Sequence, residues 1–111
     1  MTAYKFLVFT NPKRGREDEY NRWYSTVHVH EILAISGFRQ AQRFELQPEV
    51  SASDEWRYLV VYDIETDDLT ATIGELRRRN TSGEMPVSDA MEPRRTSYMF
   101  RALGPLVVPA A

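Results

Sequence analysis

Both histidines of the chain, His28 and His30, fall in one short stretch with Tyr20, Trp23, Tyr24 and Glu31. These residue types suit proton transfer. An imidazole with an ordinary pKa of about 6.5 can take up and return a proton near neutral pH. A phenol can polarise a carbonyl or stabilise an enolate. A nearby carboxylate can serve as a second acid or orient the imidazole. Tyr20, Trp23, Tyr24, Val27 and Glu31 stand at i, i+3, i+4, i+7 and i+11, which puts them on one helical stripe. His28 flanks the Tyr24 edge of that stripe, a place from which a side chain can look into a cleft. His30 lies about 200° further round a regular helix. It is expected to face solvent or a dimer contact, and the pair does not have the i, i+4 spacing of a helical two-histidine metal site. No metal is therefore expected. For Tyr20, Trp23 and Tyr24 two readings stand together: an aromatic wall for a flat substrate, or packing on a sheet. Trp23 leans towards packing.

The strands supply further polar and aromatic candidates. Phe9 and Asn11 close the first strand near the start of the helix. Arg43 lies on the second strand, where it can grip a carboxylate or phenolate bidentately or pair across strands with Glu45 or Asp63. Tyr58 and Tyr62 share one face of the third strand, and Tyr98 lies on the fourth.

Six elements position these side chains. Residues 3–10 are aromatic and β-branched and stop at Asn11-Pro12, a strand. A helix follows "NPKRGR", opens on Glu17, Asp18 and Glu19, where carboxylates suit the helix dipole, and stops at Gly37. Residues 38–46 and 56–65 read as strands, residues 67–80 as a helix capped by Asp67 or Asp68, and residues 94–103 as the last strand. The stretch 81–93 is a loop long enough to be a lid. The order β-α-β-β-α-β predicts an α+β, ferredoxin-like (split βαβ) domain over residues 1–111, with two helices on one face of a four-stranded antiparallel sheet. Both sides of strand 56–65 carry apolar residues, so the sheet face away from the helices needs a cover. A second copy of the sheet would supply it, and the apolar tail 105–111 would join that interface.

Composition narrows the function. The 111 residues are 42% hydrophobic, carry a net charge of −2 and include no cysteine. Nothing in that balance attracts nucleic acid or an acidic membrane. Disulfides and thiolate chemistry are excluded, which fits a reducing cytoplasm. The first residues have one lysine and too short an apolar run for a signal peptide, and no run could span a bilayer. The "RRRN" run, Arg77–Asn80, reads as a solvated helix end.

The stretch "DEYNRWYSTVHVHEILAISGFRQAQRFEL" resembles the first helix and second strand of dimeric α/β-barrel proteins, particularly their EthD-like branch. Glu19, Asn21, Trp23, Tyr24, His28, Glu31, Leu33, Gly37, Phe38, Arg43 and Phe44 carry the likeness. His30 and Ser36 stand where that pattern has prolines. The resemblance implies a homodimer closed through its sheets, with His28 lining a pocket between helices and sheet. The chemistry then expected is that of a small cofactor-independent cyclase, isomerase or lyase, with His28 as base and Tyr24 or a strand phenol on the enolate. Its substrate would be a hydrophobic aromatic or polyketide-like carbonyl compound. A non-catalytic ligand-binding or stress-related dimer, a cofactor-free monooxygenase and a haem protein are the alternatives. The non-catalytic reading expects a filled cleft and a His28 bonded to backbone.

Overall fold

The computed structural model describes residues 1–111. Its elements run β1 (Thr2–Pro12), α1 (Glu17–Trp23), a π-helical turn (Tyr24–His28), α2 (Val29–Leu33), β2 (Phe38–Glu45), a 3-10 turn (Pro48–Val50), β3 (Tyr58–Thr66), α3 (Leu69–Ser82) and β4 (Met91–Arg101). α1, the π turn and α2 form one unbroken helical arm, since the residues at their junctions keep right-handed helical dihedrals. The sheet order is β2-β3-β1-β4, with every neighbouring pair antiparallel. This is the ferredoxin-like βαββαβ arrangement. No helix is long and apolar enough to cross a membrane.

The core lies between the helices and one sheet face. Tyr58, Val60, Tyr62 and Ile64 alternate along β3 and are all buried there, as period-two geometry requires. They pack with Tyr20, Tyr24, Ile32 and Ile35 from the helical arm and Leu76 from α3. Asp68 caps α3 by accepting a hydrogen bond from the Ala71 N–H at 3.0 Å.

Several boundaries differ from the sequence expectation. β3 begins at Tyr58, leaving Trp56 outside the ladder, and β1 continues to Pro12. β4 begins at Met91, which pairs with Pro12, so the supposed lid shrinks to the residues between Ser82 and Met91. β2 carries an irregularity between Phe38 and Gln40. The extra residue reverses its alternation, so Phe38, Ala41 and Arg43 face the helices while Phe44 faces away.

The outer sheet face is aromatic and apolar. Phe9 packs on Trp56 and Tyr98, and Tyr98 on Phe100, while Phe44 lies on the same face opposite Leu59 of β3. Near this face's β2 end, Asp63 accepts from both Lys5 and Gln40. The tail beyond β4 is extended away from the core, with Leu103, Leu106 and Val107 almost wholly exposed.

Gly37 joins the helical arm to β2 at φ +98°, and its carbonyl accepts from the Glu65 N–H at 2.9 Å. A Cβ there would lie 3.2 Å from Thr72 Cγ2. The left-handed backbone and the crowding act together. Gly37→Ala is expected to destabilise the fold by about 1–3 kcal/mol, measured as a lower urea midpoint at unchanged slope. An unchanged midpoint would show that the turn relaxes freely.

Candidate functional site

The helical arm sets the site through its wide turn. On a regular helix Val27 and Glu31 would follow Tyr20 and Tyr24 on the inward stripe. The i→i+5 turn at Tyr24–His28 takes in one more residue than an α turn. The inward series then becomes Tyr20, Tyr24, His28 and Ile32, all buried, while Val27 is 44% exposed. Val27 is therefore not a lining residue, contrary to the sequence expectation, and His28 takes its place.

His28 borders a cavity of about 200 Å3 between the helices and the sheet. Phe6 and Val8 of β1, Tyr62 of β3, and Ile73 and Leu76 of α3 form its apolar walls with Tyr24. The imidazole is 8% exposed. It stacks on Trp23 at 4.7 Å between ring centres and meets the Tyr24 ring edge-on at 5.0 Å. Its Nδ1 lies 3.5 Å from Glu31 Oε1, yet neither atom has a hydrogen-bond partner, and the buried Tyr62 hydroxyl has none either. Buried polar groups are rarely left unpaired. Two of the residues that carry them, His28 and Tyr62, line the cavity, and Glu31 stands behind His28.

Electrostatics fix the protonation states. Burial, reinforced by the Arg95 cation, brings the His28 pKa down to about 4, so the imidazole is neutral at pH 7. Burial raises the Glu31 carboxyl. It also pushes the Tyr24 and Tyr62 phenols well above their ordinary range, keeping both hydroxyls protonated as donors. Glu31 beside Nδ1 favours the tautomer with its proton there, which leaves the Nε2 lone pair free.

The remaining candidates are distributed as follows. Trp23 and Glu31 back His28 and do not line the cavity. Tyr20 is wholly buried with its hydroxyl on Thr10. Tyr58 shares the inner face but is bonded to Asn21 and Glu45 at the far end. Arg43 pairs with neither Glu45 nor Asp63. The β2 irregularity turns it inward, where it donates to Asn21 Oδ1 and Ser25 Oγ, each at 2.8 Å, and lies 4.7 Å over the Tyr24 ring. It braces the aromatic wall from behind. Phe9, Asn11 and Tyr98 are not in the cavity. Phe9 and Tyr98 (53% exposed) belong to the outer face, because β1 and β4 point those positions away from the helices. Asn11 ties β1 to the loop before β3 by accepting from the Arg57 N–H and donating to the Glu55 carbonyl. His30 is exposed.

Arg77, Asn80 and Arg95 also line the cavity and were not foreseen. In α3, Arg77 and Asn80 extend the stripe of Ile73 and Leu76 by helical spacing, and that continuation was the available signal. The "RRRN" run is thus divided: Arg78 and Arg79 pair with Glu75 outside, while Arg77 and Asn80 turn to the cavity. Arg95 pairs in register with Thr10, which puts it on the inner face with Ser97.

Fold and cavity together define a ferredoxin-like α+β protein with a partly polar pocket between helices and sheet. No family model and no curated protein matches the chain. Solved structures do. A dimeric ferredoxin-like protein of unknown function from Jannaschia sp. CCS1 aligns at TM-score 0.64 and 9% identity, over 90% of this chain and 99% of that one. An EthD-family protein from Bacillus halodurans C-125 aligns at 0.61 and 12%, over 93% and 100%. A Streptomyces coelicolor monooxygenase, solved with nanaomycin D bound, aligns at 0.50 and 13%, over 98% and 93%. At these identities the likeness establishes the fold. Its neighbours include the EthD-type, ferredoxin-like proteins that the helix-one motif resembles.

Proposed function

We propose that this chain is a small cofactor-independent enzyme that moves a proton next to a carbonyl in a hydrophobic, aromatic or polyketide-like compound. The observation that carries the reading is His28 lining the cavity, with its Nδ1 beside Glu31 and bonded to no backbone group. Nε2 accepts a proton from the carbon beside the carbonyl. The C–H electron pair moves onto the carbonyl oxygen, and the hydroxyls of Tyr62 and Tyr24 hold the resulting enolate. Return of the proton to another carbon gives isomerisation. Attack of the enolate carbon on a second carbonyl of the same molecule, whose oxygen takes the electron pair and then the proton held on His28, gives cyclisation. Enolate charge offsets Arg95 and strengthens the base as the reaction proceeds. The cavity lies below the roughly 300–1,000 Å3 usual for ligand sites, which favours substrates of one ring.

The working unit in this reading is a homodimer closed over the outer sheet face, because Phe44, Tyr98, Phe100 and the tail otherwise leave a broad apolar surface in water. The dimeric ferredoxin-like structure from Jannaschia supports that assembly.

The test is α-carbon hydrogen–deuterium exchange of one-ring aryl ketones such as phenylacetone, followed by NMR in D2O. The protein is expected to accelerate exchange, and Tyr62→Phe to slow the catalysed rate about 10- to 100-fold. Binding without acceleration across such ketones would favour the ligand-binding dimer instead. The nanaomycin-bound monooxygenase supports a second reading, oxygenation of an electron-rich phenol, in which His28 would take the phenol O–H proton. Oxygen consumption separates the two.

A further inference from the structure

Most arginines near carboxylates in this protein are paired with them. Arg16 meets Glu19 and Asp89, Arg57 meets Glu17, Arg78 and Arg79 share Glu75, and Arg94 meets Glu55. The guanidinium groups of Arg77 and Arg95 have no salt bridge and no hydrogen bond, and both line the His28 cavity. They reach it from different elements, Arg77 from α3 and Arg95 from β4. Both are solvent-exposed residues, so they stand at the mouth, whereas Tyr24, His28 and Tyr62 are buried at the inner end. Asn80 and Ser97 add neutral polar groups at the same cavity.

The site is therefore graded from a cationic entrance, over an apolar middle of Phe6, Val8 and Ile73, to a neutral imidazole and phenols. We infer that the substrate carries a carboxylate, clamped by Arg77 and Arg95, with its ring on the apolar walls and its reacting carbonyl carbon chain towards His28 and Tyr62. The inference rests on the proposed function and adds the anionic substrate class to it. A guanidinium matches a carboxylate through two parallel N–H donors, and two such forks, one from α3 and one from β4, would fix its position. Arg95 lines the same cavity as His28 and, after burial, is the second cause that lowers the imidazole's pKa. An anion bound at the mouth cancels the Arg95 effect and makes His28 a better proton acceptor. Substrate charge and catalytic base are in this way coupled.

The inference is tested on the whole chain with two probes of nearly equal shape, 2-hydroxybenzoate and its neutral amide, 2-hydroxybenzamide. Titrations are followed calorimetrically and through the NMR signals of the Ile32 and Ile73 methyl groups, which line the cavity. The anion is expected to bind about tenfold more tightly than the amide at low salt, and the advantage to shrink as salt rises. Arg77→Gln combined with Arg95→Gln is expected to remove that advantage and leave the amide's affinity as it was. Equal binding of the two probes by the wild type would overturn the clamp while leaving the cavity reading in place. So would an anion advantage that survives in the double variant. Binding of neither probe would overturn both.

Discussion

Replacing His28 by alanine is expected to lower catalysed α-carbon exchange by about 10²–10⁴-fold, the range removed with a general base. The argument begins in the helical arm. The π turn carries His28 inward beside Tyr24, and Trp23 fixes the ring plane by stacking. Neither tyrosine can substitute as base, because burial keeps both phenols protonated. His28→Gln tests the same point with less loss of volume. It fills much of the imidazole's space and can form hydrogen bonds, yet it cannot take the proton. Both variants should be slow if proton transfer is the role. If glutamine restored the rate, His28 would be acting through shape and hydrogen bonding alone. The pH profile gives a second criterion. Only neutral imidazole accepts a proton, so kcat/KM in the wild type should rise through about pH 4 and be level by neutrality, instead of rising near pH 6.5.

The second large effect is on acid stability. In the unfolded chain His28 titrates at its ordinary 6.5, and in the fold at about 4. Between these values the unfolded state binds a proton that the folded state refuses. His28 therefore causes stability to fall as pH falls from about 6.5 to about 4, by about 3 kcal/mol over the window. Above the window its contribution is complete. The carboxyl of Glu31, raised by burial, acts in the opposite direction. Glu17, Glu75 and Asp89, held low by arginine partners and local hydrogen bonds, lose their contribution only at more acid pH. Subtracting the His28→Gln stability curve from the wild-type curve isolates the histidine. A difference that does not change between pH 6.5 and pH 4.5 would show that the imidazole is hydrated in the folded state.

The architecture was legible because its signals repeat. Alternation along β3, the Asp68 cap and the βαββαβ order are each carried by several residues at once, and a single irregularity cannot hide them. At the inner end of the site, Tyr24 and Tyr62 lie where helix and strand periods place them. The departures come from single-residue events. The π turn exchanges Val27 for His28 on the inward face. The irregularity before Gln40 sends Arg43 inward and Phe44 outward. The choice of face for β4 places Arg95 in the cavity and Tyr98 outside it, and depends on register with β1, a long-range pairing that local sequence does not encode. Arg77 was concealed differently. A run of three arginines suggests one solvated patch, although helical geometry sends consecutive side chains about 100° apart and gives each a separate environment.

The wide turn in the helical arm has a further consequence. It lets the arm carry one residue more than a regular helix would need. Removing one residue between Tyr24 and His28 would let the arm close into regular i→i+4 bonds. The imidazole would then stand at i+7 from Tyr20 and Ile32 at i+11, the positions that a regular helix turns inward. The wide turn thus absorbs a spare residue without changing the phase of the arm on either side of it. A one-residue deletion within 25–27 is therefore a change of length that leaves each chemical group addressed to the same surface.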